Sequence, residues 1–205
     1  MNSSSLIYQW LAGQISALGH SARIVSLVPE INGSAPEAPL HEGGIRRHRM
    51  SLLEFEKNCS SVLPLESLHG GGSAAMLLLD FSWAYPSLFE KTIGLLDKIV
   101  FWVRPEMESL SQVYKWIKGS SGLNSRIECL LAYDGENERK GSLAFEKFSE
   151  MVSRRLGVDL SWLGCCPVSG MPSSSQALNL DLLLSQTNPL TLSEKKALAQ
   201  SVFSE

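Results

Sequence analysis

The chain has 205 residues, of which 44% are hydrophobic and 19% charged, and its formal net charge at pH 7 is −3. The length suffices for one α/β domain with a full core, and the composition is ordinary for a globular protein. The charge gives no global reason to expect nucleic-acid binding, and no run approaches the roughly 20 apolar residues of a transmembrane helix. We therefore predict a single domain over residues 1–205, without a transmembrane segment.

Cysteine usage and the N-terminus bear on the compartment. No Cys-x-x-Cys spacing occurs, so neither a zinc site nor a disulfide framework is indicated among the four cysteines, Cys59, Cys129, Cys165 and Cys166. The adjacent Cys165 and Cys166 form a candidate redox pair, but we interpret them as small apolar residues at a strand end. The first residues lack the basic region of a secretory signal, and we expect a cytoplasmic location, where thiols stay reduced.

The first half of the chain contains both helical and strand-like patterns. Apolar residues from Leu6 to Leu18 recur at helical spacing, and Gly19 follows as a stop signal. Residues 30–49 are rich in glycine, proline and polar residues, which predicts a loop. The other predicted elements are a strand over Arg23–Val28, a short helix over Ser51–Cys59, and strands over Val62–Leu68 and Ala75–Asp80.

The second half has a clearer periodicity. Helices are predicted over Tyr85–Leu96, Met107–Lys118, Ser142–Leu156, Ser175–Leu184 and Leu192–Phe203, with Gly119 and Gly157 ending the second and third of them. Apolar strands are predicted over Ile99–Val103, Ile127–Tyr133 and Leu160–Leu163. Continuous apolar strands that alternate with amphipathic helices predict an α/β fold in three layers, a mostly parallel sheet with helices on both faces.

Two strand ends carry the most distinctive motifs. Leu77–Asp80 is an apolar strand that ends on an aspartate, and a second strand ends at Val103 and continues as Arg-Pro-Glu-Met-Glu-Ser-Leu110. Together with Leu11–Val25 and Phe148–Pro167, these stretches resemble, in the same order, parts of the MinD/ParA-type deviant Walker ATPases, and among them the flagellar-number regulators of the FlhG/FleN kind. The resemblance implies a P-loop NTPase-like fold, and the Pro-Glu-x-x-Ser-Leu turn is its most specific motif.

The chain departs from that family at the nucleotide site. Members begin with a strand and a Lys-Gly-Gly-x-Gly-Lys-Thr loop that holds phosphate. The resemblance places both of these elements before Met1. We therefore expect the first strand and the P-loop to be missing. Ser26 follows Val25, where members have an acidic residue, and Asp134 stands near the position of an asparagine that contacts the base. Asp134 is a candidate partner for a base, and Phe148–Pro167, which includes Leu156-Gly157-Val158 and Leu163-Gly164, resembles the family's last helix, strand and nucleotide-proximal loop.

The same comparison makes Asp80 a vestigial Walker B residue with little to coordinate. The alternative is that Asp80 holds Mg²⁺ in an intact nucleotide site. His41 and His48 have no matching set of metal ligands, so no metal site is expected there. We therefore expect no catalytic residue, no bound cofactor and no metal.

Two groups of residues are candidates for binding a partner. Trp83 and Tyr85 follow a strand end, which is where α/β proteins place ligands, and a place in the core is the alternative. Arg46, Arg47 and Arg49 form a basic patch within the predicted loop, and a simply solvated loop is the alternative.

These observations favour a non-catalytic pseudo-ATPase that acts as a regulatory or scaffolding partner of another protein in a bacterial cell-envelope, flagellar or positioning system, as a homo- or heterodimer. This function follows from the family resemblance alone. One alternative is a nucleotide-binding MinD/ParA-type ATPase that a partner chain or upstream sequence completes. Another is a DNA-associated regulatory or cell-division factor that uses the three arginines.

The resemblance also predicts strand pairing. Because the missing first strand would be central, its loss would leave unpaired backbone groups on both neighbouring strands, which is costly when they are buried. We expect the neighbours to close up into one sheet of about five or six strands. In that sheet, Arg23–Val28 should run parallel to Ala75–Asp80 and pair with it or lie beside it.

Overall fold

The computed structural model describes residues 11–19, 21–28, 40–42, 45–51, 75–80, 92–104, 106–166, 178–185, 193–194 and 197. The chain divides into two compact units, one formed by Met1–Thr92 with Leu192–Glu205 and the other by Ile93–Thr191. Among the described residues, no helix has both the length and the apolarity to cross a membrane. The predicted strand over Val62–Leu68 and the predicted helical residues 85–91 and 175–177 lie outside this described part.

The first described element of the first unit is α1, the helical residues 11–17. Leu11 and Ile15 are buried, as their spacing predicts, whereas Leu18 is 52% exposed. Gly19 has a φ of 83°, and its N–H donates to the Ser16 carbonyl at 3.0 Å. Since this left-handed conformation favours glycine, the predicted end of the helix at Gly19 is confirmed.

A four-stranded sheet follows in the first unit. Its strands are β1 (Ser21–Val28), β2 (Leu40–Glu42), β3 (Ile45–Ser51) and β4 (Ala75–Asp80), in the spatial order β2-β3-β1-β4. β1 is parallel to both β3 and β4, and β2 is antiparallel to β3. The predicted parallel pairing of Arg23–Val28 with Ala75–Asp80 is therefore confirmed.

The loop predicted over residues 30–49 is wrong where the structure describes it. Residues 40–42 form β2 and residues 45–51 form β3, which also places Ser51 in a strand rather than in the predicted short helix. β3 lies between β1 and β2, so its backbone pairs on both sides, and this pairing outweighs its polar composition. Gly43 and Gly44 are the two residues between β2 and β3, a spacing typical of a tight hairpin that sequence reasoning should have weighed.

The second unit contains a parallel three-stranded sheet. Its strands are β5 (Lys98–Val103), β6 (Glu128–Tyr133) and β7 (Leu160–Cys165), in the order β5-β6-β7. A 3-10 turn over Ile93–Leu95 precedes the sheet, and the helices are α2 (Met107–Leu123), α3 (Glu138–Leu156) and α4 (Leu180–Leu184). The three predicted apolar strands and the alternating α/β order are thus confirmed in this unit.

The described strands form two sheets, of four and three strands, and not the one sheet that was predicted. β4 and β5 are each the outer strand of their own sheet. The expectation of closure put these two strands in one sheet. Instead, every described strand takes its partners from within its own compact unit.

Helix α2 continues through Gly119, where its end was predicted, and stops at Leu123, so no basic residue stands in its last turn. The reason is that Ile117 and Ser120 are buried and hold the last turns against the unit. Asn124 then ties the helix end to the preceding turn. Its Nδ2 donates to the carbonyls of Ile93 at 3.0 Å and Leu96 at 3.1 Å, and its N–H donates to Ser120 at 2.8 Å.

Helix α3 begins at Glu138, four residues before the predicted start at Ser142, because Asn137 caps it by accepting a hydrogen bond from the Lys140 N–H at 3.0 Å. Its predicted end is confirmed by Gly157, whose φ of 67° is left-handed. Phe148 and Val152 are buried, and the Phe145 ring lies 5.2 Å from that of Trp162.

Gly141 brings α3 close to the sheet. A Cβ added there would lie 2.7 Å from Sγ of Cys165 and 3.0 Å from both Cη2 of Trp162 and Cγ of Tyr133. The same addition at Gly122 of α2 would meet nothing within 4 Å.

We expect Gly141→Ala to lower the free energy of unfolding by about 1–3 kcal/mol, because the methyl group forces packed side chains apart. The matched control, Gly122→Ala, should raise it by up to about 1 kcal/mol, because alanine favours a helix over glycine where there is room. Urea unfolding of the two variants measures both effects. Equal changes of the same sign would contradict the close approach of α3.

A second stability prediction concerns Asn124. Asn124→Ala should lower the free energy of unfolding by about 1–3 kcal/mol, because the partly buried Leu96 carbonyl loses its bond from Asn124 and the buried Ile93 carbonyl is left, among the described residues, with the Leu96 N–H as its donor. Asn137→Ala, which removes only an exposed cap, should cost about 1 kcal/mol. Thermal unfolding followed by circular dichroism compares them, and a smaller loss at Asn124 than at Asn137 would show that its bonds are not structural.

Candidate functional site

An ion pair lies at the carboxyl edge of the three-stranded sheet. Arg104 follows β5 and Asp134 follows β6, and Nε of Arg104 lies 2.9 Å from Oδ2 of Asp134. The side chain of Asp134 is only 14% exposed, whereas that of Arg104 is 62% exposed. The Asp134 N–H donates to the Val103 carbonyl at 2.7 Å, so the backbone extends the β5–β6 pairing up to the ion pair.

The acidic residues at this edge of the sheet stabilise the protonated form of Arg104. The hydrogen bond and the charge of Asp134, followed by the charge of Glu106, raise the pKa of Arg104 above its ordinary value. The carboxylate that the sequence suggested for a base is thus bonded to an arginine of the same chain.

The serine of the Pro-Glu-x-x-Ser-Leu turn forms a hydrogen bond between the end of β5 and the start of α2. Oγ of Ser109 accepts a hydrogen bond from the Arg104 N–H at 3.1 Å, which fixes the passage from β5 into α2. Glu106 stands at the N-cap without a side-chain capping bond, and Glu108 lies in the first turn, where the helix dipole favours an acidic residue. Next to them, Met107 is 81% exposed.

The cysteines of the second unit are buried free thiols. Burial raises the pKa of Cys165 and of Cys166 to about 11, and that of Cys129 to about 12. Because the thiolate is the reactive form, these values keep the three thiols protonated and unreactive at neutral pH. The observation agrees with small apolar residues and speaks against a redox pair.

The stretch Leu163-Gly164 belongs to β7, which continues two residues beyond its predicted end at Leu163. The pairing of β6 with β7 shifts there, since Leu131 pairs with Trp162 and Ala132 with Gly164. Gly164 has a φ of 127°, which glycine tolerates and which permits this bulge.

In the first unit, the sheet brings Asp80 and Arg49 to one level. Both pair in register with Ser26 of β1, one from β4 and the other from β3. Because these three strands are parallel, the row lies near their common carboxyl edge. Two strand spacings separate the outer backbones, about 10 Å.

The remaining sequence candidates are placed as follows. Arg46 pairs with Arg23 and His41, and Arg47 pairs with Ile24 and Leu40, so all three arginines belong to a strand and not to a solvated loop. Trp83 and Tyr85 lie outside the described residues. No group of three or more His, Cys, Asp or Glu residues in the described part of the chain is arranged to hold a metal ion.

Sequence reasoning missed the Arg104–Asp134 pair and the place of Arg23 beside Arg46. The first had a usable signal, since both residues directly follow apolar strands that were predicted to be parallel. The place of Arg23 beside Arg46 could not be predicted, because it depends on the register of β3 and the residues of β3 were predicted to form a loop.

Comparison with protein-family models gives no match, and comparison with curated proteins gives none either. The resemblance to MinD/ParA-type ATPases is therefore an inference from the residues alone.

Proposed function

We propose that the chain is a non-catalytic MinD/ParA-like pseudo-ATPase that acts as a regulatory or scaffolding partner of another protein in a bacterial cell-envelope, flagellar or positioning system. The proposal includes a P-loop NTPase-like arrangement in three layers, a cytoplasmic location, and a homo- or heterodimeric assembly. The observation that carries it is the Arg104–Asp134 ion pair at the carboxyl edge of the parallel sheet.

That edge is where open α/β sheets bind ligands. Arg104 bonds to Oδ2 of Asp134 at 2.9 Å, so a base that used this oxygen would have to displace the guanidinium. The displaced guanidinium would lose a charge-assisted hydrogen bond, so binding a nucleotide there would carry an added cost. The ion pair therefore supports the interpretation that this edge of the sheet stabilises the protein's own structure and does not hold a cofactor.

The first sheet supports the same proposal in a second way. Hard divalent cations such as Mg²⁺ need several oxygen ligands, and positive charge nearby disfavours them. Arg49 lies at the same level of the sheet as Asp80, because both residues pair in register with Ser26 of the strand between them. The sequence also holds no Lys-Gly-Gly-x-Gly-Lys-Thr loop that would bring phosphate oxygens to complete such a site.

The first functional prediction is that the purified chain does not bind Mg-ATP, because nothing in the sequence supplies the N–H cradle and lysines that compensate triphosphate charge. Isothermal calorimetry measures this. A dissociation constant at or below about 100 μM, roughly −5.5 kcal/mol, would contradict the proposal and favour the nucleotide-binding alternative. Asp134→Ala serves as a matched variant, because binding that it abolishes would assign the base to this edge.

The second functional prediction contrasts Asp80→Ala with Trp83→Ala. In a partner-binding protein the aromatic residue should matter more, since truncating an interface aromatic costs about 2 kcal/mol or more. Each variant is expressed with a tag in its native host, and co-purified protein is quantified by mass spectrometry. We expect Trp83→Ala to reduce the amount of the main co-purified protein strongly and Asp80→Ala to leave it unchanged.

Circular dichroism of both variants is the control for folding. Loss of the co-purified protein with folded Asp80→Ala, but not with Trp83→Ala, would reverse the ranking and restore a role for the Walker B-like aspartate.

A further inference from the structure

The last turns of α2 depend on contacts with the rest of the second unit. Residues 119–122 are two glycines and two serines, which are weak helix formers. A Cβ added at Gly119 or at Gly122 would meet nothing within 4 Å, so close packing does not require either glycine. Ile117 and Ser120, by contrast, are buried. Tertiary contacts therefore hold this part of the helix in place of intrinsic helix propensity.

The 3-10 turn over Ile93–Leu95 is also a weak element by itself. It is a single turn, which the Leu96 N–H closes by donating to the Ile93 carbonyl at 3.2 Å. The turn stands where the chain passes from one compact unit to the other, between Thr92 and Ile93. The sheet holds the chain from Asp97 onward, since the Asp97 carbonyl accepts a hydrogen bond from the first N–H of β6 at 3.0 Å.

Asn124 joins these two weak elements. Its Nδ2 donates to the carbonyls of Ile93 and Leu96, and its backbone N–H donates to the Ser120 carbonyl inside α2. Its Oδ1 accepts a hydrogen bond from the Arg126 N–H at 3.0 Å, which fixes the amide group in this orientation. Because each element is held largely through the same residue, opening of one removes the support of the other.

We propose that residues 93–96 and 117–124 form a latch that opens as one cooperative unit while the three-stranded sheet stays paired. In the 3-10 conformation four residues advance roughly 8 Å, whereas the same four residues span up to roughly 14 Å when extended. Opening of the latch therefore lengthens the covalent connection between the two compact units. This conformational device is independent of the proposed function.

Amide hydrogen exchange of the full chain, followed by NMR, measures the opening at two reporters. The Leu96 amide reports on the 3-10 turn, and the Asn124 amide reports on the end of α2, because each donates a hydrogen bond within the latch. We expect the two amides to exchange with the same opening constant, and both faster than the amides of the central strand β6.

Gly119→Ala tests whether the two elements are coupled. Alanine fits at this position and favours the helix, so exchange of the Asn124 amide should slow about fivefold. If the latch is one unit, exchange of the Leu96 amide slows by the same factor, although no atom of the 3-10 turn is changed. Slower exchange at Asn124 with unchanged exchange at Leu96 would overturn the proposal.

Asn124→Ala tests the coupling in the opposite direction. Removal of the side-chain amide should speed exchange of the Leu96 amide about tenfold and speed exchange at the end of α2 as well. Circular dichroism of the variant is the control for folding. Unchanged exchange at Leu96 in the folded variant would contradict the role of Asn124, and Gly119→Ala decides the question by itself if Asn124→Ala does not fold.

Asn137→Ala is the matched control in the same unit, because it removes the cap of α3 and leaves the latch intact. It should speed exchange of those β6 amides that exchange by unfolding of the whole unit, and leave the Leu96 and Asn124 amides unchanged. Equal acceleration of all these amides would show that the latch opens only when the whole unit unfolds, which would overturn the proposal.

Discussion

The second unit depends on the parallel pairing of β6 with a strand on each side. Five of the six residues of β6 are buried, so its backbone groups have no access to water and must pair with β5 and β7. This constraint fixes the register of all three strands and forces them to end at the same edge. It also explains why the approach of α3 is close, since a glycine at position 141 lets the helix reach the side chains of β6 and β7.

The chemistry of the carboxyl edge follows from that pairing. Val103 and Tyr133 are register partners, so the next residues, Arg104 and Asp134, emerge side by side. Once the strands are paired, the ion pair needs no additional loop to form. In the first sheet, a row of register partners likewise places Arg49, Ser26 and Asp80 at one level, although they are far apart in sequence. In both cases sheet register, and not local sequence, determines which residues lie at the same level.

Sequence reasoning was reliable where a pattern is strong and local. The continuous apolar runs of β4 to β7 and the glycine stops at positions 19 and 157 correspond to structure within one or two residues. It failed where tertiary context decides. Gly119 lies inside α2 because burial of the following turn outweighs the weak helix propensity of glycine, and α3 starts early because Asn137 caps it. β3 carries four basic residues in a row and owes its extended form to two flanking strands, which no window of its own sequence reveals. The number of sheets was misjudged because the single closed sheet was expected from the family resemblance, whereas each described strand pairs within its own compact unit.

The hydrogen bonds of Lys98 have a consequence for where this unit ends. Its ammonium group, with a side chain only 13% exposed, bonds to Glu128 of the neighbouring strand, to the Leu182 carbonyl and to Ser185. Two of its three partners come from α4 and the residue that follows it, more than 80 positions later in the chain. The short α4 is therefore an integral part of the unit and not a tail appended to it. A version of the protein shortened to end before Leu182 would lose two of the three hydrogen-bond partners of Lys98, so a fragment meant to retain the unit should include α4 and Ser185.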